Sequence, residues 1–302
     1  MIYDIIILGA GPAGLTAAIY ALRANKKVLV LEKESIGGKI SSSPLVENYP
    51  GFESISGSEL TDKMYDQVTN FGGEVELSEV LSIKDGTIKE VITEDGTYKT
   101  RSIIVAVGSE YRVLGLPKEE KFIGNGISFC VACDGAFYHG KTVAVIGGGN
   151  SALINALSLS SICKKVYVVQ NMDHFTGEGT LVNQLLSKDN VEVFYETKVT
   201  SYLGKDTLTG ITIEDSEKHD LLVDGIFLSI GQIPSIDIVK DLLTLASGNY
   251  IKAGDDCTTN IKGIFVAGDC RSKEVRQLTT AVSDGTIAAL KAIDYVKELG
   301  DV

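Results

Sequence analysis

The chain is poor in proline, poor in histidine and without a long apolar run. Pro occurs 5 times in 302 residues against 32 Gly, a balance that excludes a Pro-rich disordered chain and suits many tight βα turns. No stretch approaches the roughly 20 apolar residues that span a bilayer. Met1-Ile2-Tyr3-Asp4 runs straight into a short strand pattern instead of a signal peptide, so neither membrane insertion nor export is expected. Basic residues are outnumbered, 28 Lys and Arg against 40 Asp and Glu, and the net charge of -12 disfavours nucleic acid and anionic lipid as partners. The three His residues, 139, 174 and 219, have no ligand spacing, so no metal is expected. Five Cys residues (130, 133, 163, 257 and 270) without a secretory signal suggest a reducing, cytoplasmic setting. With 44% hydrophobic and 23% charged residues, the chain can build two soluble domains.

The first motif stands near the N-terminus. Ile5-Ile6-Ile7-Leu8 reads as a buried strand, Gly9-Ala10-Gly11-Pro12-Ala13-Gly14 as a GxGxxG turn, Leu15 to Ala24 as a helix and Val28 to Glu32 as a second parallel strand. This is a dinucleotide-binding βαβ unit, with an acid placed to accept from a ribose. Its glycines let backbone approach a pyrophosphate, which the helix N-terminus attracts. The pattern repeats in Thr142 to Ile146, Gly147-Gly148-Gly149-Asn150-Ser151-Ala152 and Val166 to Val169, so two nucleotide-type domains are expected. The second unit ends in Gln170-Asn171-Met172, without the acid. Asp-Gly pairs at 85–86 and 95–96 predict antiparallel hairpins, Ile103 to Gly108 and Ile264 to Asp269 read as buried strands with their turns, and Thr286 to Leu299 as a packed helix.

Cys130 and Cys133, at i and i+3, can close a disulfide or reach a reactive thiol pKa. A zinc half-site would need a second ligand pair, which the remaining Cys and His do not offer. Asp134 is by spacing alone a cap or turn residue as readily as an acid. Cys163, Cys257 and Cys270 read as small buried apolar residues.

Over nearly its whole length the sequence resembles the low-molecular-weight thioredoxin reductases. The resemblance is carried by Gly9 to Gly14, Gly37-Gly38-Lys39, Glu47-Asn48-Tyr49-Pro50-Gly51-Phe52, Val105 to Gly108 and Cys130-Val131-Ala132-Cys133-Asp134-Gly135. It continues in Ser229 to Pro234, Ala267-Gly268-Asp269 and Arg276-Gln277. It implies an α/β fold of two Rossmann-like, three-layer ββα domains, the second inserted in the first. The FAD domain would be residues 1–113 with 243–302, and the NAD(P)-type domain 114–242. FAD would be held by Gly9, Gly11, Pro12, Ala13 and Gly14 at the pyrophosphate, Glu32 at the ribose, Asn48 and Gln277 near the flavin ring, and Asp269 at the ribityl chain or phosphate. Gly38, Lys39, Gly268 and Arg276 belong to the same motifs, and Lys39 departs from the Gln usual after the Gly-Gly pair. Cys133 would exchange electrons with the flavin, Cys130 would attack a partner disulfide, and Asp134 would act as acid or base. A homodimer is implied as well.

The ordinary member of this family recognises NADPH through a His-Arg-Arg motif and a further Arg. This chain has Asn171, Met172 and Thr176 at the Arg positions, and Ile154-Asn155 where the family has an acidic pair. The resemblance is therefore closest to the ferredoxin-dependent flavin thioredoxin reductases, with ferredoxin as electron donor and thioredoxin as partner. An NADPH-dependent thioredoxin reductase and a non-catalytic FAD-binding redox sensor are the alternatives.

Overall fold

The computed structural model describes residues 1–43 and 45–300. The chain forms two compact units, one of residues 1–110 with 233–302 and one of residues 111–232. Residues 233–242, which the sequence suggests belong to the inserted segment, pack in the first unit. There Ile236 and Val239 share a core with Ile6, Leu8, Leu29 and Leu31.

The first unit is built on a seven-stranded sheet. Strand β1 (Ile2–Leu8) lies between β2 (Val28–Glu32) and β6 (Thr97–Val105), parallel to both. Strand β3 (Glu74–Leu77) extends the β2 edge in parallel. The hairpin of β4 (Val80–Lys84) and β5 (Lys89–Thr93) joins the first half of β6 antiparallel, while strand Ile264–Val266 pairs in parallel with its last three residues. The β1 and β2 strands are apolar on both faces because both are covered. Ile5, Ile7, Val28 and Val30 meet the helices α1 (Pro12–Arg23) and Leu278–Glu298, and Ile6, Leu8, Leu29 and Leu31 meet Val91 and Tyr98 of the antiparallel layer. Helix, parallel sheet and antiparallel sheet are the three layers.

The second unit repeats the plan. Strands Val191–Phe194, Lys165–Val169, Thr142–Ile146, Gly225–Leu228 and Ile127–Ser128 make a parallel sheet in that order. Helix Asn150–Ser160 packs Ala152, Leu153, Ala156 and Leu159 on one face. An antiparallel sheet of Lys198–Gly204, Leu208–Glu214 and Lys218–Leu222 covers the other through Tyr202, Ile211 and Ile213. Each unit is thus an α/β, Rossmann-like domain.

Two helices begin earlier than the sequence pattern predicts. Helix α1 starts at Pro12 because proline is pre-organised for the first helical position and loses no needed donor there. The C-terminal helix spans Leu278–Glu298, eight residues longer at its start than the apolar spacing suggests. Thr279, Thr280, Ser283 and Gly285 are weak helix formers that mask the pattern. A reciprocal cap compensates: the Gln277 side chain accepts from the Thr280 amide, and Thr280 Oγ1 accepts from the Gln277 amide. Among the described residues, no helix is long and apolar enough to cross a membrane.

Candidate functional site

The first site forms where β1 ends. Gly9 has φ +104°, and a β-carbon there would lie 2.4 Å from the Ala106 carbonyl oxygen, so only glycine fits. At Gly14 a β-carbon would fall 1.9 Å from the Gly9 oxygen, so α1 can approach the turn only with glycine there. Gly11 is different: a β-carbon would meet nothing within 4 Å, and the helix N-terminus that starts there has no side-chain cap. Open space in front of uncapped N–H groups suits a pyrophosphate. Glu32 ends β2 and accepts from Ala10 N at 2.7 Å and Glu34 N at 3.0 Å, which leaves its carboxylate further acceptor sites for a ribose.

Distant segments close around this turn. A β-carbon on Gly38 would touch Gly11 Cα at 3.4 Å, and one on Gly268 would touch Ala13 Cβ at 3.0 Å. Lys39 Nζ donates to Asp269 Oδ2 at 2.9 Å and to Ser109 Oγ at 3.0 Å. Asp269 Oδ1 is buried without a hydrogen-bond partner among the described residues, an acceptor waiting for a donor. Arg276 donates from Nε to the Asp269 carbonyl at 3.3 Å, and its guanidinium lies 3.9 Å over the Tyr250 ring. Asn48 sits exposed in a bend inside the loop closed by the Val46–Ile55 bridge. Beneath the site Asp284 is buried and held by Arg271 (Nη2–Oδ1 2.9 Å, Nε–Oδ2 3.2 Å), by Lys273 at 3.0 Å and by Gly268 N at 3.1 Å. Asp284, Arg271 and Lys273 carry no signal in the sequence pattern; they fix the turn that presents Asp269.

The second candidate site is the thiol pair. Cys130 and Cys133 are joined as a disulfide, with Cα atoms 5.3 Å apart across a one-turn helix, Val131–Asp134. The Cys133 amide donates to Cys130 Sγ at 3.2 Å, an interaction that favours a thiolate on Cys130 once the pair is reduced. Burial pushes the Asp134 carboxyl up, and a hydrogen bond from Ser128 opposes that shift. Ser128 went unmarked by the motifs. Its hydroxyl donates to Asp134 Oδ2 at 2.5 Å and accepts from Cys130 N at 3.1 Å. Its place two residues before the CxxC is the only hint the sequence offers. Among the described residues, no group of three His, Cys, Asp or Glu is placed to hold a metal ion.

A dinucleotide turn, an orphaned acceptor beside it and a CxxC disulfide agree with what comparison with known proteins finds. The sequence profile of the pyridine nucleotide-disulphide oxidoreductases matches residues 3–285. The chain belongs to that family. A 34.2 kDa protein in the rubredoxin operon of Clostridium pasteurianum is 42% identical over 298 residues, 97% of either chain. The thioredoxin reductase of Bacillus subtilis strain 168 is 38% identical over 303 residues, covering 99% of this chain and 96% of its own. Among solved structures, thioredoxin reductase from Streptococcus pyogenes MGAS5005 superposes with a TM-score of 0.94 at 38% identity, covering 98% of this chain and 99% of that one. This chain is accordingly an FAD disulfide oxidoreductase of the thioredoxin reductase type, with Cys130–Cys133 as its redox disulfide.

In such an oxidoreductase the second glycine turn is where a pyridine nucleotide would be sought. The Gln170 side chain, 3% exposed, lies against Gly148 so closely that a β-carbon there would be 2.2 Å from its amide nitrogen. Gln170 Nε2 donates to the His174 carbonyl at 2.9 Å, and Thr176 N donates to the Gly148 carbonyl at 2.8 Å. Asn150, the first helical residue, accepts from Glu178 N at 2.7 Å and donates to the Glu178 carboxylate at 3.3 Å. Asn155 Nδ2 donates to Ser229 Oγ at 2.8 Å. Neither residues 147–151 nor 170–178 include a Lys or Arg. Ile154 and Met172 are exposed.

Proposed function

We propose that this protein reduces thioredoxin through Cys130 and Cys133, with electrons that come from a reduced ferredoxin and not from NADPH. The supporting observation is the second glycine turn: no Lys or Arg within 147–151 or 170–178, Gln170 packed against Gly148, and Glu178 bonded to Asn150. A 2′-phosphate needs charge-assisted donors. Losing two such contacts, at about 1.5–3 kcal/mol each, weakens NADPH by roughly two to four orders of magnitude. NADH gains nothing in exchange, because no acid ends strand Lys165–Val169 to take a ribose diol.

The first unit then serves as the FAD domain. Gly9, Gly11, Pro12, Ala13 and Gly14 face the pyrophosphate, Glu32 the ribose, and Asp269 offers its unpaired Oδ1, with Gly38, Asn48, Gly268, Arg276 and Gln277 completing the surround. Bound FAD takes up electrons singly and passes them on in pairs. The exchange with thioredoxin is done by the chain itself. Cys130 attacks the partner disulfide as a thiolate and forms a mixed disulfide, Asp134 protonates the departing partner thiolate, and Cys133 then displaces the second partner thiol by closing on Cys130. One disulfide is reduced and one formed. A ferredoxin near about −400 mV can drive reduction of a thioredoxin near about −270 mV, on the order of 6 kcal/mol downhill for two electrons.

The test is anaerobic reduction of the flavin by NADPH, NADH and reduced ferredoxin in parallel, followed by its absorbance, with thioredoxin thiols counted afterwards. Ferredoxin should bleach the flavin and drive turnover. Rapid turnover at micromolar NADPH with ferredoxin inert would reject the donor assignment.

A further inference from the structure

We propose that Lys39 is a positioning residue of the flavin site: it holds one oxygen of Asp269 so that the other stays aimed at a hydroxyl of FAD. Lys39 stands where the family pattern has Gln. Three segments meet at its ammonium: Lys39 itself on the turn after Gly37-Gly38, Ser109 after β6, and Asp269 after strand Ile264–Val266. Lys39 Nζ takes Asp269 Oδ2 at 2.9 Å. The opposite oxygen, Oδ1, is buried and has no hydrogen-bond partner among the described residues.

Lys273 stands 3.9 Å from Oδ1 and is committed to Asp284 at 3.0 Å. Arg276 and the fixed turn at Gly268 hold the Asp269 backbone, but neither sets its side-chain rotation. Lys39 does. A carboxylate rotates to satisfy whichever oxygen lacks a donor, and a buried orphan acceptor is costly. With Oδ2 pinned by a cation, Oδ1 is left for an incoming O–H. The Gly38 backbone lies against Gly11, which brings this acceptor to the pyrophosphate turn. A hydroxyl-bearing chain linked to a phosphate, as in FAD, is the matching donor.

The inference rests on FAD occupying this turn, and the experiment separates the two. Apoprotein of the wild type, Lys39→Met, Lys39→Gln, Asp269→Asn and the Lys39→Met/Asp269→Asn double variant is titrated with FAD, reading quenching of flavin fluorescence, and the melting temperature of each apoprotein is recorded. Lys39→Met should weaken FAD by about tenfold or more, the scale of one charge-assisted hydrogen bond. Lys39→Gln, which keeps a neutral donor, should lose less. The double variant should bind no worse than Asp269→Asn alone, since Lys39 acts through that carboxylate. Multiplying losses would mean that Lys39 touches FAD directly and would overturn the proposal. So would a fall in apoprotein melting temperature with FAD affinity unchanged, because Lys39 would then be a structural strut only. A wild type that refuses FAD would strike the cofactor site itself.

Discussion

Ser128 and Asp134 share a hydrogen bond of 2.5 Å, and the same Ser128 hydroxyl accepts the Cys130 amide at 3.1 Å. One hydroxyl therefore ties the backbone of Cys130 to the neighbouring carboxyl. Burial favours the protonated form of Asp134, and the Ser128 O–H, donating to the carboxylate, favours the ionised form. Tyr138, which feels the Asp134 charge, is itself pushed up by burial.

In Ser128→Ala the carboxyl loses the bond that favours ionisation, so Asp134 should stay protonated to higher pH. The alkaline limb of the thiol–disulfide exchange rate should move upward, and Ser128→Thr should return it. Asp134→Asn should remove that limb and slow exchange by about 10²-fold or more. Stopped-flow exchange from pH 5 to 9 measures both. Superimposable profiles for wild type and Ser128→Ala would show that Ser128 does not tune the acid.

The three remaining thiols should be silent. Burial pushes Cys257 and Cys270 up to about 12 and Cys163 up to about 11, and all three are buried. Native oxidised protein at pH 8 should take up no iodoacetamide within minutes; reduced protein should take up label at Cys130 and Cys133 alone, as read by peptide mass. Cys133→Ser should trap thioredoxin as a mixed disulfide, visible on a non-reducing gel, whereas Cys130→Ser should not.

Asp284 should be among the more damaging positions for stability. It is 4% exposed and pairs with both Arg271 and Lys273, which are largely buried. Asp284→Ala leaves Arg271 with only the exposed Asp255 at 3.6 Å and Lys273 with only Asp269 at 3.9 Å, a loss of about 3–5 kcal/mol by the usual cost of breaking a buried pair. Urea unfolding of the apoprotein gives the number. A change under about 1 kcal/mol would mean that water reaches the cations.

Restoring charge to the second turn should restore a nucleotide site in part. Asn171→Arg, Met172→Arg and Thr176→Arg together should tighten NADPH by about tenfold or more over NADH, as measured by calorimetry. An unchanged NADPH affinity would place the barrier with Gln170, whose amide packs on Gly148.

The two βαβ units and the CxxC were legible because their signals are local. A period-2 apolar run, a glycine turn and a helix lie within about 30 residues of one another, and each is set by backbone sterics and burial of a strand on both faces. The start of the C-terminal helix was not legible, since Thr279 to Gly285 form helix weakly and are held there by the Gln277–Thr280 cap and by close packing on α1. A β-carbon on Gly285 would fall 2.2 Å from the Ala13 oxygen. Cys130 and Cys133 name their chemistry by residue type and spacing. Lys39 and Asp269 do not: they are 230 residues apart, and their pairing depends on strand Ile264–Val266 joining β6 beside the turn. Nor does Ser128, whose serine hydroxyl is generic until the fold turns it toward Asp134. Local periodicity and covalent chemistry suffice to specify the folding units and the redox pair. Which polar groups meet is set by the fold, because hydrogen bonds a few ångströms long depend on how distant segments pack.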